Sequence, residues 1–140
     1  MRQDSRLSRV LHVLLHLDGM KEPATSDLIA QMLCTNSAVV RRTMAGLREA
    51  GYVQSVRGHG GGWSLLMPLS EITLLGVYQA LGSPPLFAIG NDTDSPDCLL
   101  ERAANNATSA ALAEAKDHFF ASLSKVTVAD LGAESRKLNS

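Results

Sequence analysis

The chain has 140 residues, enough for one domain or one domain with an arm, and its composition (45% hydrophobic, 19% charged) is that of an ordinary soluble globular protein. Two cysteines are too few for a disulfide scaffold, and no apolar stretch approaches the ~20 residues that span a bilayer. A net charge of −1 argues against nucleic acid as a partner, and an N-terminus charged throughout "MRQDSRLSRV" lacks a leader peptide's apolar core, so a cytoplasmic protein is expected.

The charge is unevenly spread. Residues 1–68 hold eight Lys/Arg against five Asp/Glu, a net +3; the remainder holds five against nine, a net −4. A basic half joined to an acidic half points to a local polyanion site in the first. Chance asymmetry is the competing explanation. With aromatics at only 4%, small aliphatic side chains must fill the core.

In chain order, Leu7, Val10, Leu11 and Leu14 recur at helical spacing and predict a helix from about Asp4 to Leu17, ended by Asp18-Gly19. Thr25 or Ser26 caps a short second helix whose buried face is Leu28, Ile29, Met32 and Leu33. A break at Cys34–Ser37 follows, with Cys34 read as a small buried hydrophobe. Asn36 or Ser37 then caps a third helix running to Ala50, stopped by Gly51. Val40, Met44 and Leu47 point to the core. Ala38, Arg41, Arg42 and Ala45 point away from it.

"YVQSVR" and "WSLLM" are short strand patterns around the glycine-rich "GHGGG", which predicts a hairpin. Pro68 and Ser70 open a helix carrying Leu74, Val77, Tyr78 and Leu81 on one face. Residues 82–97 form a linker, and helix resumes from Pro96. Leu112, Ala115, Phe119 and Leu123 make one stripe of a long helix. "VTVADL" starts a last short piece, and the tail from Glu134 is expected to fray.

Two helices joined by a tight turn, the second with outward arginines, make a helix-turn-helix, and the hairpin behind it makes a winged helix. The fold class expected is mainly α with a small β-hairpin: a winged domain over 1–81, the linker, and a helical dimerisation region over 98–140. Such a third helix, residues 36–50, fits the major groove. The wing, residues 57–62, would lie on the backbone or in the minor groove, with Arg57 inserting and His59 touching phosphate.

The segments "LREAGYV", "RGHGGGWSL" and "ITLLGVYQAL" resemble the signature stretch of the Rrf-two family of bacterial winged-helix transcription regulators. The likeness is strong over about residues 1–83. "CLLERA…ALAEA…L…VTVADL" is similar to that family's dimerisation region. The resemblance implies a homodimeric regulator, read as a repressor, on a near-palindromic double-stranded operator. It also implies base contacts by Arg41 and Arg42 and a wing contact by Arg57. The full surface expected to meet DNA is Thr25, Asn36, Ser37, Ala38, Arg41, Arg42, Arg48, Arg57, Gly58, His59 and Gly60. Leu99, Leu112, Ala115, Phe119 and Leu123 are expected in the dimer interface.

Cluster-binding members of the family carry three close cysteines before the long helix, whereas here Cys98 stands alone in "DSPDCLLERA". An iron–sulfur cluster needs about four protein ligands, so none is expected, nor any other cofactor. Cys98 is either a thiol sensor near a helix N-terminus or an inert remnant. His12 and His16 stand one turn apart, a spacing that suits a metal; without a third ligand they are read as surface or interface residues and no metal is expected.

"HGGG" also occurs in the oxyanion loops of esterases, but the nucleophile elbow that chemistry needs is missing. The phosphate-loop pattern is missing too, so no enzyme is expected. The rival to DNA binding is a winged-helix module that docks proteins. Protein-docking faces want apolar or aromatic anchors, and helix three offers arginines and alanines instead.

Overall fold

The computed structural model describes residues 3–91 and 97–140, so residues 92–96 of the expected linker, with the Pro96 helix start, lie outside the described residues. The elements follow in the order α1 (Arg6–Asp18), α2 (Ser26–Leu33), α3 (Ser37–Glu49), β1 (Val53–Val56), β2 (Gly62–Leu65), a 3₁₀ turn (Leu69–Glu71), α4 (Leu74–Ala80), α5 (Leu99–Ser124) and α6 (Val128–Leu138). The chain is mainly α with one antiparallel hairpin, as its periodicities predict. Val53 faces Leu65, Gln54 faces Ser64, Ser55 faces Trp63 and Val56 faces Gly62.

Local chemistry explains the helix ends. The Thr25 hydroxyl accepts from the Leu28 N–H at 3.1 Å and the Asn36 side-chain oxygen accepts from the Val39 N–H at 3.0 Å, each satisfying an orphan donor of a first turn. At the far end of α3, the Gly51 N–H bonds the Arg48 carbonyl and the Tyr52 N–H bonds the Leu47 carbonyl, both at 3.0 Å. That paired arrangement needs a left-handed residue just past the helix, and Gly51 supplies it at φ +83°.

One core gathers all the N-terminal elements. Val10, Val13, Leu14 and Leu17 of α1 meet Ile29 and Ala30 of α2, Val40, Met44 and Leu47 of α3, then Val53, Trp63, Leu69, Ile72 and Val77. Each aliphatic side chain fully removed from water there contributes about 1.5–3 kcal/mol before entropy is counted. Val128 belongs to the same core. The Leu74 N–H bonds the Val126 carbonyl and the Val128 N–H bonds the Ile72 carbonyl, each at 2.9 Å, clasping the α5–α6 junction to the segment before α4. Residues 128–138 therefore return to the N-terminal unit, against α1 and the 3₁₀ turn, rather than extending α5.

Several local expectations are corrected. Leu28 is exposed and Ala30 takes its place inside, because an eight-residue helix wedged between α1 and α3 buries a narrower stripe than four apolar positions suggest. Cys34 is exposed: it ends α2 in the left-handed region, at φ 53°, which turns its side chain out. The helix expected from Pro68 is split into a 3₁₀ turn and α4, because Ile72 and Thr73 are extended to pair with the α5–α6 junction. Helix α6 continues to Leu138 under a capping box of Thr127 and Asp130, where fraying was expected from Glu134.

Candidate nucleic-acid interface

Helix α3 presents its polar side because its apolar side is fully used. Val40, Met44 and Leu47 are at most 1% exposed, which fixes the rotation of the helix and turns Ala38, Arg41 and Arg42 to solvent. Its flank against α4 is locked at Gly46, where any Cβ would collide with the Ala80 carbonyl oxygen. Arg42 lines a recess of about 320 Å³ on that side with Arg6, Val39, Gly46 and Ala80. Arg48 lies on the other side, its guanidinium carbon 5.9 Å from the centroid of the Trp63 ring. Arg48 thus joins α3 to the wing as well as standing exposed beside it.

The wing is anchored at its base. Ala24 and Trp63 exchange two backbone hydrogen bonds, 2.9 and 2.7 Å, so the loop before α2 acts as a third short strand on β2. The Trp63 indole N–H donates to the Ser26 hydroxyl at 3.0 Å, and the ring is buried. Trp63, Ala24, Ser26 and Gly46 are the positioning residues that sequence reasoning missed. A lone tryptophan directly after a glycine run was the one available cue.

The wing glycines divide into two groups. Gly62, at φ +148°, lies against the Ala24 carbonyl so closely that a Cβ would collide with it, and Gly61 lies equally close to the Val56 carbonyl. These two serve the hairpin itself. Gly58 and Gly60, at φ +93° and +76°, also favour glycine, but a Cβ on either would meet open space. Only at this outer pair is the tip thin for reasons other than the hairpin's own packing. Arg57, Gly58, His59 and Gly60 are all exposed.

The expected contact residues lie at the α2 cap (Thr25), the start of α3 (Asn36, Ser37, Ala38), its solvent side (Arg41, Arg42, Arg48) and the wing tip; Ser37 is half-buried and the others are exposed. The Thr25 hydroxyl and the Asn36 side-chain oxygen are already engaged as caps. Among the described residues, Arg41, Arg42 and Arg57 form no ion pair and no side-chain hydrogen bond. Arg6 behaves differently: its guanidinium grips Asp4 at 2.7 Å, and those hydrogen bonds hold the Asp4 carboxyl at about 2, below its ordinary 3.8.

Helix α5 is built for something else. It spans 26 residues, about 39 Å at 1.5 Å per residue, and buries none of them. Leu112, Phe119 and Leu123 are half-buried, while Leu99 is 74% exposed and Ala115 is exposed. Phe119 already has a partner in its own chain, the Tyr78 ring of α4, at 6.1 Å between centroids and nearly perpendicular. Cys98 is exposed at the N-cap of α5. Among the described residues no three His, Cys, Asp or Glu side chains lie close enough to share a metal ion, so these donors do not fit a four-ligand cluster. No helix among them is long and apolar enough to cross a membrane.

Comparison with known proteins gives the family and the fold. The model of the Rrf2 family, described as iron-dependent transcriptional regulators, matches residues 3–134. The chain is 32% identical over 135 residues to YwnA of Bacillus subtilis (strain 168), named as a candidate HTH-type transcriptional regulator, across 96% of this chain and 93% of YwnA. It is 36% identical over 83 residues to YwgB of the same strain, named likewise, a match spanning 58% of this chain and 53% of YwgB. Among solved structures, a candidate transcriptional regulator from Lactobacillus plantarum shares the fold with a TM-score of 0.81 at 22% identity, covering 94% of this chain and 90% of that one. The chain belongs to the Rrf2 family of transcriptional regulators, a family of regulators rather than enzymes.

Proposed function

We propose that the protein is a homodimeric repressor, working in the cytoplasm, that binds a near-palindromic operator in double-stranded DNA. The observation that carries this reading is the set of three exposed arginines, Arg41, Arg42 and Arg57, each without an ion-pair partner among the described residues. A guanidinium held at the surface and left unpaired is ready for phosphate or for the O6 and N7 of guanine. Residues 36–50 enter the major groove, about 12 Å wide, and residues 57–62 rest on the adjoining backbone or minor groove.

Dimerisation uses α5, with Leu99, Leu112, Ala115, Phe119 and Leu123 along the contact. Phe119 serves there as the edge of an aromatic group already seated on Tyr78. Two copies are needed because one helix and one wing bury only about 600–1,000 Å² on DNA. The regulator works without an iron–sulfur cluster: Cys98 is the single cysteine of the C-terminal half, and Cys34 sits in the turn between α2 and α3.

Selection of bound sequences from random duplex DNA by the purified protein, with and without oxidant, tests the reading. The expected result is one enriched motif with two-fold symmetry. No enrichment above input would overturn it, and enrichment of an asymmetric half-site would remove the dimer. Loss of the motif on oxidation in the parent and in Cys34→Ser, but not in Cys98→Ser, would make Cys98 the sensor, because both cysteines are exposed; an unchanged motif would make it inert.

A further inference from the structure

Two histidines on the outer face of α1 take no part in the surface described above. His12 and His16 are both exposed and lie one turn apart, opposite Val10, Val13, Leu14 and Leu17. Their rings have turned toward each other: centroids 4.6 Å apart, planes at 61°, and Nε2 to Nε2 only 2.9 Å. Sequence spacing permits such a pair without requiring it. The convergence of the two nitrogens on one point is what the structure adds.

We propose that His12 and His16 form a binding site for a divalent late transition metal, Ni²⁺ or Cu²⁺, with water completing the coordination. Metal–imidazole bonds run about 2.0–2.1 Å, so two nitrogens 2.9 Å apart subtend about 90° at a shared ion. That is the cis angle of a square-planar or octahedral site, the geometry of Cu²⁺ and Ni²⁺. A tetrahedral Zn²⁺ would need the nitrogens about 3.3 Å apart. The general stability order of divalent metals at nitrogen ligands puts Cu²⁺ above Ni²⁺, and the narrow angle disfavours Zn²⁺.

The chemistry balances without redox change. In the pair one ring donates its Nε2–H to the other's lone pair. When the ion enters, the donor ring carries its proton on Nδ1 instead, and both Nε2 lone pairs face the metal. The backbone is already in place, because the opposite face of α1 is locked in the core. Two protein ligands give a labile site, distinct from a buried cluster. Binding clamps one turn of α1 and so stabilises the folded chain.

The four histidines of the chain supply the controls. Ni²⁺ added to the full-length protein is followed through the imidazole resonances and by calorimetry. The expected result is early paramagnetic broadening of His12 and His16 while His59 and His118 stay sharp, with one Ni²⁺ per chain. His12→Gln and His16→Gln should each weaken Ni²⁺ at least about tenfold, and the double variant should be little worse than either single, because one imidazole alone cannot chelate. Both side chains are exposed, so melting without metal should be unchanged, and only the parent should melt higher with Ni²⁺. Parent-like affinity in the variants, broadening that starts at His59 or His118, tighter Zn²⁺ than Ni²⁺, or one ion per two chains would each overturn the site. None of these outcomes bears on DNA binding, which stands or falls by the selection experiment.

Discussion

Helices α3 and α5 are both rich in small and apolar residues, yet the chain treats them in opposite ways. The 13 residues of α3 bury three side chains, and the helix has a side-chain cap at one end and a left-handed glycine at the other. The 26 residues of α5 bury none, and its N-cap residue Cys98 makes no side-chain cap bond. A helix gains most of its stability from packing an amphipathic face. In α3 that face is satisfied inside the chain, so what remains outside is free to meet a ligand. In α5 the stripe is only partly covered, with Leu112, Phe119 and Leu123 half-buried and Leu99 74% exposed, which supports the proposal of a second subunit.

The largest expected effect comes from attacking that stripe. Leu99→Glu together with Leu112→Glu should turn the dimer into a monomer by light scattering and cost at least about 100-fold in operator affinity, as bivalent binding is lost. A dimer that survives would move the interface off α5. Next comes the base of the wing. Gly62→Ala should cost about 2–4 kcal/mol in thermal or denaturant melting, combining a left-handed backbone with a collision at Ala24. Gly60→Ala, with open space around it, should cost only about 1 kcal/mol. Equal losses would mean that the tip is as tightly packed as the base.

A smaller effect separates the two helix starts. Asn36→Ala should cost about 1 kcal/mol by loosening α3, whereas Cys98→Ala, with no cap bond to lose, should leave melting unchanged. The smallest effect belongs to Asp4→Asn. Its carboxyl is held low in the folded chain, so its contribution is complete above pH 3.8 and disappears as pH falls toward about 2. Both partners are well exposed, which keeps that contribution under about 1 kcal/mol. The variant should therefore match the parent at pH 2 and be slightly weaker at pH 7.

Much of the N-terminal unit was readable in the sequence. The α1 and α3 faces, the caps at Thr25 and Asn36, the Gly51 stop and the hairpin all follow from spacing and turn chemistry within about a dozen residues. What escaped depends on distant pairings. Nothing near Ala24 announces that it will bond Trp63, and nothing near Ile72 announces Val128. Those two pairings seat the wing, split the expected fourth helix and bring α6 home. The same holds for the glycine loop. Its composition suggested one purpose, closeness to a partner, but Gly61 and Gly62 are required by the chain's own carbonyls, and only at Gly58 and Gly60 does a Cβ meet open space. Leu28 and Cys34 were misread because a short helix and its left-handed end depart from the average periodicity.

The most direct test is the salt dependence of operator affinity for the parent and for Arg41→Ala, Arg42→Ala and Arg57→Ala. If helix three and the wing tip grip one duplex, the two helix variants lose about 1–3 kcal/mol and discriminate less between bases. Arg57→Ala should instead weaken all sequences alike and reduce the slope of log affinity against log salt by about one. Parent-like affinity in both helix variants, together with an unchanged slope for Arg57→Ala, would contradict the account.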